Sequence, residues 1–365
     1  MKPLSAFAFI KGSIPKLLPM AITVCLAVAV LYFMAMFTQQ INTGVEEAGI
    51  YPLEKMSLIL GDKSGVSKDD INNIGKNISN SKIFVINPID VTYYNIIGYT
   101  SAFIIMSGQK DIEPIMKMQN FKLIEGCLPQ KPMEIVLNKK LAENYGFKLG
   151  TVIRKNTKGW RIEKDLKVVG IFEGRAVTGM GMEDESILKP RNPYISLLVG
   201  SDAGSLQPVN KYIEKNFSGK YQTLTLEAEK NTLNNFNGPI NALELFIGLV
   251  LICVIGVFLS NITSIQYSLR RKELELLNAI GYTRKYIVKK ALKEIAVAAG
   301  LGYIVGILLA VALGWGMNIC FLSEKGMSFP LFLGGSMFSV LIVPAAIILF
   351  SIKAPLKLTK FRDLA

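Results

Sequence analysis

Histidine is absent from the 365 residues, and cysteine occurs only four times. The first absence excludes a Ser/His/Asp or Cys/His nucleophile pair, a histidine-ligated zinc and an imidazole pH switch built from this chain alone. The second excludes a disulfide scaffold: Cys25 and Cys253 fall in apolar runs, Cys320 lies near the end of a third, and Cys127 stands by itself in a long polar segment. No C-x-x-C pair is present, so a metal or redox dithiol is also excluded. Charge is scarce as well, at 19% of residues against 50% apolar, and mean hydropathy is +0.36. Disorder and collagen-like repeats do not fit such a balance. Charged residues are altogether missing from four stretches, at 17–37, 245–265, 295–316 and 331–352.

Each charge-free stretch has the length of about 20 residues that carries a helix across a hydrocarbon core of ~30 Å. A single Lys, Arg or Asp at the centre of such a helix costs roughly 2.5–3.5 kcal/mol, so four uninterrupted runs predict four transmembrane helices. Lys2, Lys11 and Lys16 precede the first run as they would in a signal peptide. Its apolar core exceeds an h-region of about 7–15 residues and Ala35-Met36-Phe37 makes no small-x-small cleavage site, so an uncleaved anchor is expected. Gly300, Gly302, Gly306 and Gly314 in the third run allow a neighbouring helix to come close.

The formal charge of +13 is unevenly distributed. Residues 1–16, 266–294 and 353–365 together carry 15 basic and four acidic residues, whereas 38–244 carries 25 basic and 23 acidic. Under the positive-inside rule the two termini and the 266–294 loop face the cytoplasm and 38–244 faces outward. The same placement accounts for a pI near 9.4 without nucleic acid, for which no recognition motif is present.

Segment 38–244 is long enough for a domain with its own core. Strands are predicted at 56–60, 83–86, 91–97, 102–106, 151–154, 166–172 and 194–199, from runs of β-branched and aromatic residues. Helices are predicted at 67–78, where Ser67 and Asp70 form a capping-box start, and at 111–118 and 138–145. These make an extracytoplasmic α+β domain. Residues 178–186 (TGMGMEDES) read as a solvated loop, and 38–48 and 227–243 as stalks, the second interrupted by Gly238-Pro239.

The 266–294 loop has a helix-Gly-helix layout. Leu274, Leu277 and Ile280, then Ile287 and Ala291, recur at helical spacing. Gly281 is a helix C-cap signal and Thr283 an N-cap candidate.

On these residues the chain resembles the FtsX/MacB-like permeases, the membrane subunits of mechanotransmission-type ABC transporters. The family's loop pattern stands here as Arg271-Lys272-Glu273-Leu274, Leu277 and Ala279-Ile280-Gly281-Tyr282-Thr283-Arg284, followed by Glu294 and Gly300-Leu301-Gly302. A second match runs through Glu125-Gly126, Pro132, Glu134-Ile135-Val136-Leu137, Ala142, Gly146, Gly150 and Val168-Val169-Gly170-Ile171-Phe172.

The resemblance implies a non-catalytic permease, without cofactor or metal, in which the segment around 271–280 is a coupling helix on a nucleotide-binding subunit. Leu274 and Leu277 would fill that subunit's groove, Arg271, Lys272 and Glu273 would line its rim, Gly281 would allow the turn, and Arg284 with Lys285 would meet the ATPase or lipid headgroups. A G-x-x-x-x-G-K-S/T phosphate loop is absent, so hydrolysis belongs to a separate ATPase chain, working as a pair. The implied partners are that ATPase homodimer, a second permease copy or a paralogue, membrane lipid, and an extracytoplasmic substrate or adaptor. Export of a peptide, lipid or drug is the implied role. The alternatives are an FtsX-like signalling subunit that activates a cell-wall hydrolase outside, and a stand-alone membrane receptor.

Overall fold

The structure, a computed structural model, describes residues 6–78, 81–96, 98–190, 192–201, 206–335 and 340–345. The chain divides into two compact units. One comprises residues 1–39, 239–317 and 329–365, and the other 40–238 with 318–328.

The first unit is helical. Helix α1 runs Ala6–Val45, α6 Leu226–Leu269, α7 Arg271–Ala279 and α8 Arg284–Met317. Among the described residues three helical segments are long and apolar enough to cross a membrane: Leu18–Glu54, Leu245–Leu269 and Lys285–Lys325. Half of the fourth predicted run, 331–352, falls outside the described residues. Along α6 side chains such as Leu245, Phe246, Val254 and Phe258 are exposed, as an apolar solvent allows but water does not. Two expected breaks do not occur. Helix α1 passes Gly44 and continues as a π-helical turn at Glu46–Ile50 and a 3₁₀ turn at Tyr51–Glu54. Helix α6 passes Gly238-Pro239; a proline removes one backbone hydrogen bond, and the bonds on either side carry a long helix past it.

Helices α1 and α8 meet through glycine. A Cβ added at Gly302 would lie 2.6 Å from the Ala21 carbonyl and 2.8 Å from Val24 Cβ. At Gly306 the same distances are to the Cys25 carbonyl and Val28 Cβ. The Gly-x-x-x-Gly spacing thus brings the two backbones into contact, as small residues do in membrane helix pairs. Gly300 faces open space and takes no part.

The second unit is a mixed sheet with helices on its faces. In chain order its elements are β1 (Met56–Leu60), α2 (Lys68–Asn77), β2 (Ser81–Tyr94), β3 (Tyr99–Ser107), α3 (Gln109–Met118), β4 (Lys122–Gly126), β5 (Glu134–Asn138), α4 (Lys139–Tyr145), β6 (Val152–Ile153), β7 (Leu166–Glu173), β8 (Gly179–Met182), β9 (Ser196–Ser201), α5 (Gln207–Phe217) and β10 (Gln222–Leu224). The strand order is β10-β1-β9-β2-β3-β8-β5-β7-β4, with β6 beside β7. The β3–β8 and β5–β7 pairs are parallel and the others antiparallel. Two apolar clusters lie against the β3–β8–β5 region, one including Ile104, Leu137 and Val168, the other Ile105, Val136 and Met180. A third, with Ile59, Ile74 and Phe217, joins α2 and α5 to the β1–β9 end.

Local signals placed several of these elements. Ser67 Oγ accepts the Asp70 N–H at 3.1 Å at the start of α2, and Asn138 Oδ1 accepts the Lys140 N–H at 2.9 Å at the start of α4, each satisfying a donor the helix leaves open. The strands expected at 83–86 and 91–97 are one strand, β2, which runs through Pro88. The stretch 178–186 is not a solvated loop throughout: its first part is β8, in mid-sheet, with Met180 fully buried. Its glycines and short length hide it locally, and pairing with β3 and β5 makes it a strand.

Candidate functional site

The predicted site residues gather at the elbow formed by the end of α6, α7 and the start of α8. Arg270 occupies the residue between α6 and α7 and is 8% exposed. Its Nη1 donates to Glu294 Oε2 on α8 at 2.8 Å, while its Nε and Nη2 donate to the two carboxylate oxygens of Glu273 at 2.9 and 3.0 Å. The planar guanidinium fork suits such two-sided recognition. Tyr267, also buried, lies with its ring 5.6 Å from the Arg270 guanidinium carbon and donates its hydroxyl to the Ala291 carbonyl at 3.1 Å. Three helical segments are thereby tied together by two side chains of the α6 terminus.

The turn after α7 is closed by backbone hydrogen bonds. Gly281 N–H donates to the Asn278 carbonyl at 3.0 Å and Tyr282 N–H to the Leu277 carbonyl at 3.1 Å. This pair of bonds is the Schellman arrangement, which requires a left-handed residue, and Gly281 has φ +98°. Thr283 then starts α8: its carbonyl accepts from Tyr286 and Ile287 at 2.9 and 3.1 Å. The rings of Tyr282 and Tyr286 stack 5.1 Å apart across the turn.

The side chains of α7 divide into two sets. Leu274 is 4% exposed and Leu277 half-buried, whereas Leu276 and Ile280 are 61% and 66% exposed. Leu274 therefore packs into the elbow's own interior. Arg271, Lys272, Glu273 and Gly281 are exposed, with Arg271 Nε bonded to Glu275 one turn on at 2.8 Å. Arg284 is the first residue of α8. The sequence reading passed over Arg270 and paired no residue with Glu294. The signal was a basic residue and an acidic one flanking the two helices on their membrane sides, but charge beside a span resembles ordinary positive-inside charge until both are seen to be buried.

In the sheet unit an open cleft of about 630 Å³ is lined by residues that include Leu53, Pro88, Phe103, Tyr194 and Glu229. Burial pushes the Glu229 carboxyl above its ordinary value. Among the described residues no group of three or more Cys, Asp or Glu side chains could hold a metal ion.

Residues 17–230 match the family described as the MacB-like periplasmic core domain, and residues 245–362 the family described as the FtsX-like permease C-terminal. The chain belongs to the FtsX/MacB-like permeases of ABC transporters, and its sheet unit is the extracytoplasmic MacB-like domain. Similar solved structures include the periplasmic region of MacB from Actinobacillus actinomycetemcomitans, 14% identical over 52% of this chain and 96% of that one, with a TM-score of 0.31. The extracellular domain of the noncanonical ABC-type transporter YknZ from Gram-positive bacteria is 12% identical over 46% of this chain and 97% of that one, with a TM-score of 0.29. A domain of a permease protein from Porphyromonas gingivalis is 11% identical over 47% and 86%, at 0.25. No curated protein matches the chain.

Proposed function

We propose that this chain is the transmembrane subunit of an ABC transporter that couples ATP hydrolysis on a separate ATPase to motion of its extracytoplasmic domain. The observation that carries this reading is the division of α7: Arg270, Glu294 and Leu274 hold the helix from within, while Leu276 and Ile280 are left as an apolar face on an otherwise charged segment. A helix that is fixed on one side and apolar on the other can receive a push from a partner and pass it to the helices it joins. Leu276 and Ile280, with Leu277 at their edge, take the groove-filling role, and Arg271, Lys272, Glu273 and Arg284 stand at the rim.

In this reading 331–352 is a fourth span, both termini and the elbow are cytoplasmic, and a pair of ATPase subunits drives a pair of permeases related by two-fold symmetry. Force enters at α7 and leaves through α6 and α1. An exported peptide, lipid or drug is held on the outer side.

Co-purification tests the reading. The full-length permease, expressed with the ATPase encoded beside it, is expected to retain that subunit through membrane extraction. Leu276→Asp together with Ile280→Asp should abolish retention while leaving the permease folded. Retention unchanged in the double variant would sink the coupling role.

A further inference from the structure

The last residues of α1 and the first of α6 belong to the sheet unit, and both line the open cleft of about 630 Å³. Val45 and Gly49 border it from the α1 side and Glu229 from α6, while the neighbouring strands β10, β1, β9, β2 and β3 each contribute at least one residue. Small-molecule sites occupy roughly 300–1,000 Å³ and combine apolar walls with a few placed polar groups.

The charge in this lining is of one sign. Asp90 and Glu229 are its charged members, and none of the described residues that line it is Lys or Arg. Asp90 already has a cation, with its Oδ2 3.5 Å from Arg161 Nη1 in an exposed pair. Glu229 has none among the described residues, and burial is what pushes its carboxyl above the ordinary value. The first turn of α6 suits a carboxylate, but Glu227 is there as well and accepts a hydrogen bond from Asn210 Nδ2 on α5. The two acids of one turn thus have different surroundings: Glu227 is bound within the fold, and Glu229 borders the cleft without a counter-ion to offset its desolvation.

The walls add aromatic surface. Phe103 stands directly across from Asp90 in the β2–β3 ladder. Tyr194 has φ +63°, a conformation that is rare for an aromatic residue. Its N–H donates to the Asp62 carbonyl at 2.9 Å and its carbonyl accepts from Ser196 Oγ at 3.0 Å, which hold it there. The ring is left 55% exposed. Backbone strain of this kind persists where the surroundings enforce it, and it clusters at ligand sites. At Gly49 an added Cβ would meet nothing within 4 Å, so the chain leaves that part of the cleft open.

We propose that this cleft binds a lipophilic amine, with the protonated nitrogen paired to Glu229 and the apolar body against Phe103 and Tyr194. Both an aromatic face and a carboxylate attract a cation. A ligand seated there touches the end of α1 and the start of α6 together. That such an amine is cargo for export rests on the functional reading above; that it binds does not.

The experiment uses the full-length permease in nanodiscs, without ATPase or nucleotide, and follows the fluorescence anisotropy of naphthylethylamine with empty nanodiscs subtracted. Naphthylethanol keeps the ring without the charge, and naphthylacetate reverses the charge. The amine should bind about tenfold or more tightly than the alcohol, and the acetate most weakly, as a charge-assisted contact implies. Glu229→Gln removes a carboxylate that has no partner to lose, so the variant should melt no lower than the parent chain, and it should bring the amine down to the affinity of the alcohol. Gly49→Leu fills the space and should weaken amine and alcohol alike, whereas Asp90→Asn should leave amine binding within about twofold. Equal affinity for amine and alcohol in the parent chain, or amine binding that survives Glu229→Gln, overturns the proposal. Leu276→Asp with Ile280→Asp should leave amine binding unchanged, so a failure of this site and a failure of the coupling role show in different measurements.

Discussion

Arg270 and Glu294 are 24 residues apart in the chain and 2.8 Å apart in space, both nearly inaccessible, across the joint between the second and third apolar helices. A charge pair of this kind repays its desolvation only while both partners are present. Two further N–H groups of the Arg270 fork donate to the Glu273 carboxylate, so the pair also sets the angle of α7.

Removing one member should therefore cost more than removing both. Arg270→Ala leaves the Glu294 carboxylate buried without its cation, and destabilisation of about 3–5 kcal/mol is expected. Arg270→Leu combined with Glu294→Leu should recover much of that loss while loosening α7. Thermal unfolding of the purified permease in detergent separates the two cases; equal loss in the single and double variants would contradict the pairing.

The turn at Gly281 gives a second expectation. An L side chain at φ +98° meets a cost of roughly 1–2 kcal/mol, and no neighbour lies within 4 Å to clash with it. Gly281→Ala should thus lower the unfolding temperature modestly through backbone strain alone. Gly281→Asn, which tolerates the left-handed region better, should lie between the two.

Close packing of α1 on α8 predicts a contrast between glycines of one helix. Gly302→Val and Gly306→Val place atoms where the Ala21 and Cys25 carbonyls already are, and should separate the helices. Gly300→Ala, which meets nothing, should be neutral or stabilise by up to about 1 kcal/mol. Disulfide trapping between cysteines introduced on α1 and α8 reports the helix separation directly.

The extracytoplasmic domain should lose stability in acid through Asp70. Burial raises the Asp70 carboxyl, but hydrogen bonds from Lys220 at 2.5 Å, Ser67 at 2.7 Å and Tyr221 at 2.7 Å outweigh it and hold the group below its ordinary value. A carboxyl lowered in the folded state contributes stability that is present above its unfolded pKa of about 3.9 and is lost as pH falls through the lower folded value. Asp70→Asn should therefore be less stable than the parent chain at pH 7, with the two curves converging below about pH 4. Unfolding of the domain followed by tryptophan fluorescence at Trp160 measures this.

Several elements were legible without any coordinates. Strand β1, the Ser67 cap of α2, the Asn138 start of α4 and the Gly281–Thr283 turn all depend on residues within four positions of one another. Others were not. Strands β4 and β5 were not read as strands, β8 looked like a loop, and the burial of Leu274 beside the exposed Leu276 and Ile280 could not be read from their spacing. Each of these depends on a partner far away in the chain, as β8 does on β3, whose paired residues lie 75 positions earlier.

The sequence by itself determined the class of molecule: absent charge over 20 residues selects the bilayer, and the 271–284 pattern points to the family. Only the tertiary structure decided which side of α7 is spent inside and that Arg270 rather than its exposed neighbours anchors the elbow. Hydropathy and capping are properties of neighbours along the chain. Burial and ion pairing are properties of neighbours in space, and a linear pattern cannot say which of two helix faces will meet another helix until the fold has brought that helix there.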